Sequence, residues 1–447
     1  MNVKGKKVTI LGAVRSGVSA ALLVQKLEGK PFVSDMADAS KLNDEMVRLR
    51  EANIPFEFGG HTEKVYDCDF IITSPGVPTK SKVIQEALKR KIEIFSELEF
   101  ASYFCKGKVI AITGSNGKTT TTSLVHHILT TSNKKTYLAG NIGFAFSNIC
   151  LDVKEDEFVA LEVSSFQLDW NKKFKPYISI ITNITPDHLD RYETFEDYRN
   201  AKLSIYKTQD ENDYVILNYD DKFSQREINN KNVNTIFFSL NEKPKNSIYL
   251  DNENIIFEQN GKIVFACKTS DIKIKGLHNI ANSMCAIVAA KLSGCSNEDI
   301  IKGLQTFEGV EHRLEFVREI NGVKYVNDSK ATNVDSLYFA LKSFDNPIFL
   351  ILGGIDKGND YNQIKDLVLQ KVKKIYAIGQ SADKIFNFFH HDIKVEIKSS
   401  LKECVDAANS EAREGDIVLL SPACASMDMF KNYEERGRIF KELVYNL

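Results

Sequence analysis

A three-domain α/β chain is predicted, on three observations. Short apolar runs of strand length alternate with helix-length amphipathic segments along most of the chain. Its 447 residues are more than one hydrophobic core usually serves. A loop of small residues, Gly114-Ser115-Asn116-Gly117-Lys118-Thr119, lies between a strand signal and a helix signal, with sheet-forming sequence on both sides. The expected boundaries are 1–106, 107–309 and 310–447.

The first domain reads as an open parallel sheet. Lys7–Leu11, a helix over Ser19–Leu27, Pro31–Asp35, a helix through Lys41–Ala52 and Phe70–Ser74 alternate in order. Its first turn, Gly12-Ala13-Val14-Arg15-Ser16-Gly17, has Val14 where a dinucleotide fingerprint has its middle glycine. A side chain there obstructs a pyrophosphate and argues against NAD or FAD. Asp35 ends the second strand, where such sheets place a ribose- or base-binding carboxylate; an ordinary helix N-cap is the alternative. Thr73-Ser74-Pro75-Gly76-Val77 forms another loop at the ligand-binding edge.

The middle domain opens on the phosphate loop. Val109–Thr113 is a buried strand, and a helix begins near Thr119. Gly114 and Gly117 let successive N–H groups converge on an anion, and the helix N-terminus adds partial positive charge. Lys118 can reach the β- and γ-phosphates of ATP, and the Thr119 hydroxyl can ligate Mg²⁺. In Phe158–Gln167, Glu162 falls near the end of an otherwise apolar strand. A carboxylate there needs a partner: a nearby Mg²⁺, or a buried salt bridge. His188 falls among Asp187, Asp190 and Arg191 at the rim after Ile178–Ile184, and a purely structural histidine is its plainer reading. Lys202 lies on a helix over Phe195–Lys207 and by itself reads as a solvated lysine. Short β runs then fill 214–275, with a hairpin turn at Asn260-Gly261, and a helix over Asn279–Leu292 closes the domain.

In the third domain a hairpin turn at Asn321-Gly322 leads into Tyr325–Asn333. βα alternation then returns, with polar residues at the strand ends in Gly353–Gly358 and Ser421–Ser426, which marks a second ligand-binding sheet.

Composition narrows the partners. The chain is 43% apolar and 26% charged with a net charge of −2, so there is no basic excess for nucleic acid. Lys4, Lys6 and Lys7 precede an apolar run too short for a secretion signal, and no stretch approaches the roughly 20 apolar residues of a membrane span. The eight cysteines are scattered without a C-x-x-C pair and read as reduced core thiols. A cytoplasmic monomer is expected, without nucleic-acid or membrane partners.

An ATP loop between two ligand-binding sheets suits a ligase, in which acceptor, ATP and incoming group must meet with water excluded. The chain resembles the Mur ligases of bacterial cell-wall synthesis over essentially its whole length. The stretches are Gly114–Thr120, Leu161–Gln167, Asn183–Arg191, Ala201–Tyr206, Gly276–Asn282, His312–Glu315, Asn327–Asn333, Gly353–Gly358 and Leu420–Gly437. Asn327–Asn333 and Leu420–Gly437 resemble the D-glutamate-adding member. The resemblance implies a Rossmann-like N-terminal domain for a UDP-sugar, a central P-loop ATPase-type domain with an extra β segment, and a C-terminal Rossmann-like domain for an amino acid. It further implies ATP-dependent addition of D-glutamate to UDP-N-acetylmuramoyl-L-alanine through an acyl phosphate, in peptidoglycan precursor synthesis.

Carried over by position, the resemblance assigns ATP contacts to Gly114, Ser115, Asn116, Gly117, Lys118, Thr119, Thr120, Asn279, Asn282, Arg313 and Asp328. Arg15, Ser16, Asp35, Met36, Gly76, Asn141 and His188 would meet the UDP-sugar. Lys330, Thr332, Lys357, Ser426, Met427 and Tyr433 would form the D-glutamate site. Thr119, Glu162, His188 and Lys202 would serve two Mg²⁺ ions, with Lys202 carbamylated and so carboxylate-like; Lys118, His188 and Lys202 are the expected catalytic residues. Arg15, Met36 and Tyr433 depart from the residues common at their positions. A diamino-acid-adding relative would carry Asp-Asn-Pro-Arg, which is missing here, and a folylpolyglutamate synthase lacks the first sheet. A phosphate-loop switch would need no third domain.

Overall fold

A computed structural model describes residues 1–186, 191–225, 232–356 and 358–447. His188, Asp187, Asp190 and Lys357 lie outside the described residues.

The strands fall into three sheets. The first holds β1 (Lys7–Leu11), β2 (Lys30–Asp35), β3 (Phe56–Phe58), β4 (Phe70–Thr73) and β5 (Glu93–Ser96) in the order β3-β2-β1-β4-β5, all parallel. The order reverses at β1, so the loops after β1 and β4 face one crevice. Gly12, at φ 90°, ends β1. The following helix, Arg15–Lys26, starts four residues before the expected Ser19. Gly17 explains the tight entry, because a Cβ there would lie 1.7 Å from the Gly12 carbonyl oxygen.

The second sheet comprises β6 (Lys108–Thr113), β7 (Thr136–Gly140), β8 (Phe158–Glu162), β9 (Ile178–Ile181), β10 (Tyr214–Asn218), β11 (Asn234–Ser239), β12 (Ser247–Asp251), β13 (Asn254–Gln259) and β14 (Lys262–Lys268). Its order is β14-β13-β12-β11-β10-β9-β6-β8-β7. β10 to β12 extend the parallel sheet, and the edge pairs β12–β13 and β13–β14 are antiparallel. The run expected as an extra β segment therefore continues the ATP-loop sheet. Asn260 and Gly261, at φ 51° and 72°, make the hairpin turn as predicted.

These two sheets form one compact unit, Met1–Lys273 with Asn279–Phe307. Their joint is polar and specific. The buried carboxylate of Glu99, on the short helix Glu97–Ser102, accepts the backbone N–H groups of Lys172, Lys173 and Phe174 at 2.9 to 3.1 Å. Arg191 donates to the carbonyls of Pro75 (2.6 Å) and Val77 (3.2 Å) while stacking on Phe166, 4.0 Å from the ring centre.

The other unit, Ile274–His278 with Glu308–Leu447, holds a mixed sheet. β15 (Glu315–Ile320) pairs antiparallel with β16 (Val323–Asn327) across the Asn321-Gly322 turn. β17 (Ile348–Gly353), β18 (Val372–Ile378), β19 (Lys394–Ile397) and β20 (Ile417–Leu420) complete the order β15-β16-β20-β17-β18-β19, parallel from β16 onward. Apolar residues cover both faces, with Leu350 and Leu352 packing into one core and Phe349 and Ile351 into the other.

Candidate active site

In the first unit β6 ends at the phosphate loop. Gly114 (φ 146°) and Gly117 (φ 84°) take conformations open to glycine, and Gly117 caps the helix Lys118–Thr131. The loop is braced from the next strand. Asn183 Oδ1 accepts from the Asn116 N–H (2.9 Å), Asn183 Nδ2 donates to the Asn116 carbonyl (3.0 Å), and the Thr182 hydroxyl donates to that carbonyl (2.5 Å). Ser115 Oγ lies 2.9 Å from the Tyr198 hydroxyl and donates to the Thr185 carbonyl. A Cβ on Gly117 would sit 2.4 Å from Asn282 Oδ1, so the loop also fits against the helix Leu277–Leu292.

Lys118 Nζ donates to the carbonyls of Gly114 and Ser115, 2.8 Å each, curled over its own loop. Lys202 is 2% exposed, contrary to the solvated reading. Its Nζ donates to the Gly114 carbonyl at 2.7 Å and lies 4.6 Å from the centre of the Tyr198 ring. The helix that carries it, Phe195–Leu203, begins on a capping box of Thr194 and Asp197. Two lysine nitrogens thus donate to one carbonyl of the loop.

Glu162 ends β8, the neighbour of β6, and is buried. Asn141 Nδ2 donates to its Oε1 at 2.7 Å. Oε2 is buried without a hydrogen-bond partner, and among the described residues the carboxylate has an amide for a partner and no cation. Among the described residues the salt-bridge alternative finds no partner. An orphaned carboxylate oxygen is a cost unless something electropositive meets it, and hard oxygen donors suit Mg²⁺. Glu162 and the Thr119 hydroxyl fit such an ion by their chemistry.

At the crevice of the first sheet Asp35 caps no helix. Its Oδ2 accepts the Ala13 N–H (2.6 Å) and its Oδ1 the Ala37 N–H (2.7 Å), which fixes the loops after β1 and β2. Met36 is exposed, and space is open around Gly76. The Arg15 guanidinium donates to the carbonyls of Gly143 (3.1 Å), Gly140 and Asn141 (3.2 Å each).

In the other unit, Asp328 is buried after β16. The Ser421 hydroxyl (2.8 Å) and the Leu314 N–H (3.2 Å) donate to it, and the Arg313 charge stands nearby. Burial outweighs these groups and pushes its carboxyl up to about 6. Lys330 lies 5.3 Å from the centre of the Tyr433 ring. Tyr433 opens the helix Tyr433–Tyr445, Ser426 is buried, Met427 is exposed and Thr332 is half-buried. Arg436 ties the strand ends together through Ser329 and the Cys424 carbonyl, and burial lowers its guanidinium to about 10. Asn183, Thr182 and Tyr198 were not singled out in the sequence. Thr182 and Asn183 fall inside the run Ile178–Ile184 that reads as a strand, whereas the strand ends at Ile181 and frees both to brace the loop.

Three family models match the chain: a MurD N-terminal domain over residues 7–83, a Mur ligase middle domain over 112–290, and a Mur ligase glutamate ligase domain over 312–424. The chain is 42% identical over 452 residues to the UDP-N-acetylmuramoylalanine–D-glutamate ligase of Thermoanaerobacter sp. (strain X514), with 100% of each chain covered. It is 43% identical to the enzyme of the same name from Christiangramia forsetii, over 99% of this chain and 100% of that one. In fold it is similar to the UDP-N-acetylmuramate-alanine ligase of Thermotoga maritima, with a TM-score of 0.64 at 19% identity over 99% of both chains.

Proposed function

Because the chain belongs to the Mur ligase family, we propose that it joins D-glutamate to UDP-N-acetylmuramoyl-L-alanine at the expense of ATP, in the cytoplasm. It is an ATP-dependent ligase of peptidoglycan precursor synthesis. The observation that carries the reading is the orphaned Glu162 oxygen on the strand beside a glycine loop that bears Lys118 and Thr119.

The L-alanine carboxylate attacks the γ-phosphorus of ATP, and ADP leaves. The N–H groups of the loop and the helix N-terminus bind the transferring phosphoryl group. Lys118 turns from the Gly114 and Ser115 carbonyls toward the phosphates and offsets their charge. The amine of D-glutamate then attacks the acyl carbonyl, the nitrogen sheds a proton, the acyl C–O bond breaks, and phosphate leaves with the former carboxylate oxygen as the amide forms. Glu162 and Thr119 would hold one Mg²⁺, with His188 and Lys202 assigned by family to a second; the ions supply charge neutralisation at the phosphates. Lys202 is proposed to carry a carbamate, formed when its amine adds to CO₂ and sheds a proton. The carbamate N–H keeps a donor for the Gly114 carbonyl.

Asp35, Ser16, Met36, Gly76, Asn141 and His188 are the proposed UDP-sugar contacts; Arg15, which the resemblance places with them, has its guanidinium on the carbonyls of Gly140, Asn141 and Gly143. Asn279, Asn282, Arg313 and Asp328 are proposed for the nucleotide, and Lys330, Thr332, Lys357, Ser426, Met427 and Tyr433 for D-glutamate. The test is isotopic: acceptor with heavy oxygen in its terminal carboxylate should give phosphate carrying one heavy oxygen. Label retained wholly in the product and absent from phosphate would overturn the acyl-phosphate route.

A further inference from the structure

We propose that Arg15 is a positioning residue for the phosphate site: by gripping the carbonyls of Gly140, Asn141 and Gly143 it fixes Asn141, and through Asn141 the Glu162 carboxylate. The inference rests on the proposed Mg²⁺ role of Glu162 and, for its kinetic assay, on the ligase reading.

The loop from Gly140 to Ser147 is built to be held from the first sheet. Gly140 (φ 102°) and Gly143 (φ 63°) bend it so that three carbonyls meet one guanidinium at 3.1 to 3.2 Å. A planar fork presents its donors in a fixed geometry to spaced acceptors, where a lysine offers one ammonium on a flexible stem. Six residues past Asn141, the Ser147 N–H donates at 2.6 Å to the buried Glu97 carboxylate, on the helix that follows β5. A guanidinium thus holds the carbonyls at one end of the loop, and a buried carboxyl oxygen accepts an N–H at the other.

The grip is transmitted along one short path. Asn141 binds Glu162 twice, through its backbone N–H to the Glu162 carbonyl (2.9 Å) and through Nδ2 to Oε1 (2.7 Å). With Oε2 unpartnered, the Asn141 amide is what orients the carboxylate among the described residues. Gly140 admits no adjustment, since a Cβ there would lie 2.1 Å from the Glu162 carbonyl oxygen. Arg15 is itself exposed, so its stabilising contribution is small and its effect falls on geometry. The first βα turn, where a nucleotide would dock, is thereby tied to the carboxylate of the phosphate site in the next domain.

The experiment uses Arg15→Ala and Arg15→Lys in the full chain. Mn²⁺ binding is titrated in the presence of a non-hydrolysable ATP analogue, and kcat and KM are measured for the UDP-sugar. Arg15→Ala should weaken Mn²⁺ binding and lower kcat by about tenfold while KM for the UDP-sugar stays within about twofold, and Arg15→Lys should recover part of both. Amide exchange at Gly140 and Asn141 should quicken in Arg15→Ala. A raised KM with kcat, Mn²⁺ affinity and exchange unchanged would make Arg15 a substrate contact and overturn the proposal, as would no change in any of them. Metal binding and exchange need no acceptor, so failure of the D-glutamate assignment would leave these readouts intact.

Discussion

At the scale of single residues, the two charged groups with the clearest consequences are Lys118 and Asp328. Lys118 donates to two carbonyls of its own loop. Lys118→Ala should therefore keep its circular dichroism spectrum and lose turnover by about a hundredfold or more; near-normal activity would remove the ATP-site assignment. Asp328 behaves differently because burial raises its carboxyl from 3.8 to about 6. The folded state holds that proton more tightly than the unfolded chain, so its favourable contribution is complete below the unfolded value and is lost as pH climbs through about 6. Asp328→Asn escapes the loss. Between about pH 5 and about pH 7.5 the stability of Asp328→Asn relative to the parent should rise by about 1 kcal/mol, read from urea midpoints at each pH.

At the scale of elements, the joints carry the tightest constraints. Glu99 collects three backbone N–H groups from 172–174 in a buried setting. Glu99→Ala leaves them without an acceptor and should cost about 3 kcal/mol or more, with Glu99→Gln milder, as judged by chemical denaturation. Gly437 packs on His312, and a Cβ there would lie 2.2 Å from Nδ1 of a residue already at φ 65°. Gly437→Ala should cost about 1–3 kcal/mol, seen as a lowered Tm. What could be read beforehand follows the range of the forces involved. Both Asn-Gly hairpins were legible because their turn demands positive φ at both residues. The phosphate loop was legible because its chemistry is local. The early start of the first helix was not, since it depends on Gly17 closing on the Gly12 carbonyl. The burial of Lys202 was hidden for the same reason, its acceptor being 88 positions away. Glu97 and Glu99, between apolar Ile94 and Phe100, carried a usable signal: charges inside an apolar run need partners.

At the scale of the whole molecule, three sheets each end in polar loops, and the ATP-loop sheet shares a compact unit with the first. The three family matches each concern one part of a ligase. Among the described residues no helix is long and apolar enough to cross a membrane. The substrate pair belongs to this scale, because the handedness of an amino acid is decided by a whole pocket and no single residue spells it out. The most direct test is phosphate release from Mg-ATP and UDP-N-acetylmuramoyl-L-alanine, in parallel with D-glutamate, L-glutamate, L-alanine, L-lysine or meso-diaminopimelate. Release confined to D-glutamate is the predicted result. Release with another amino acid instead, or silence in every reaction, would contradict the assignment.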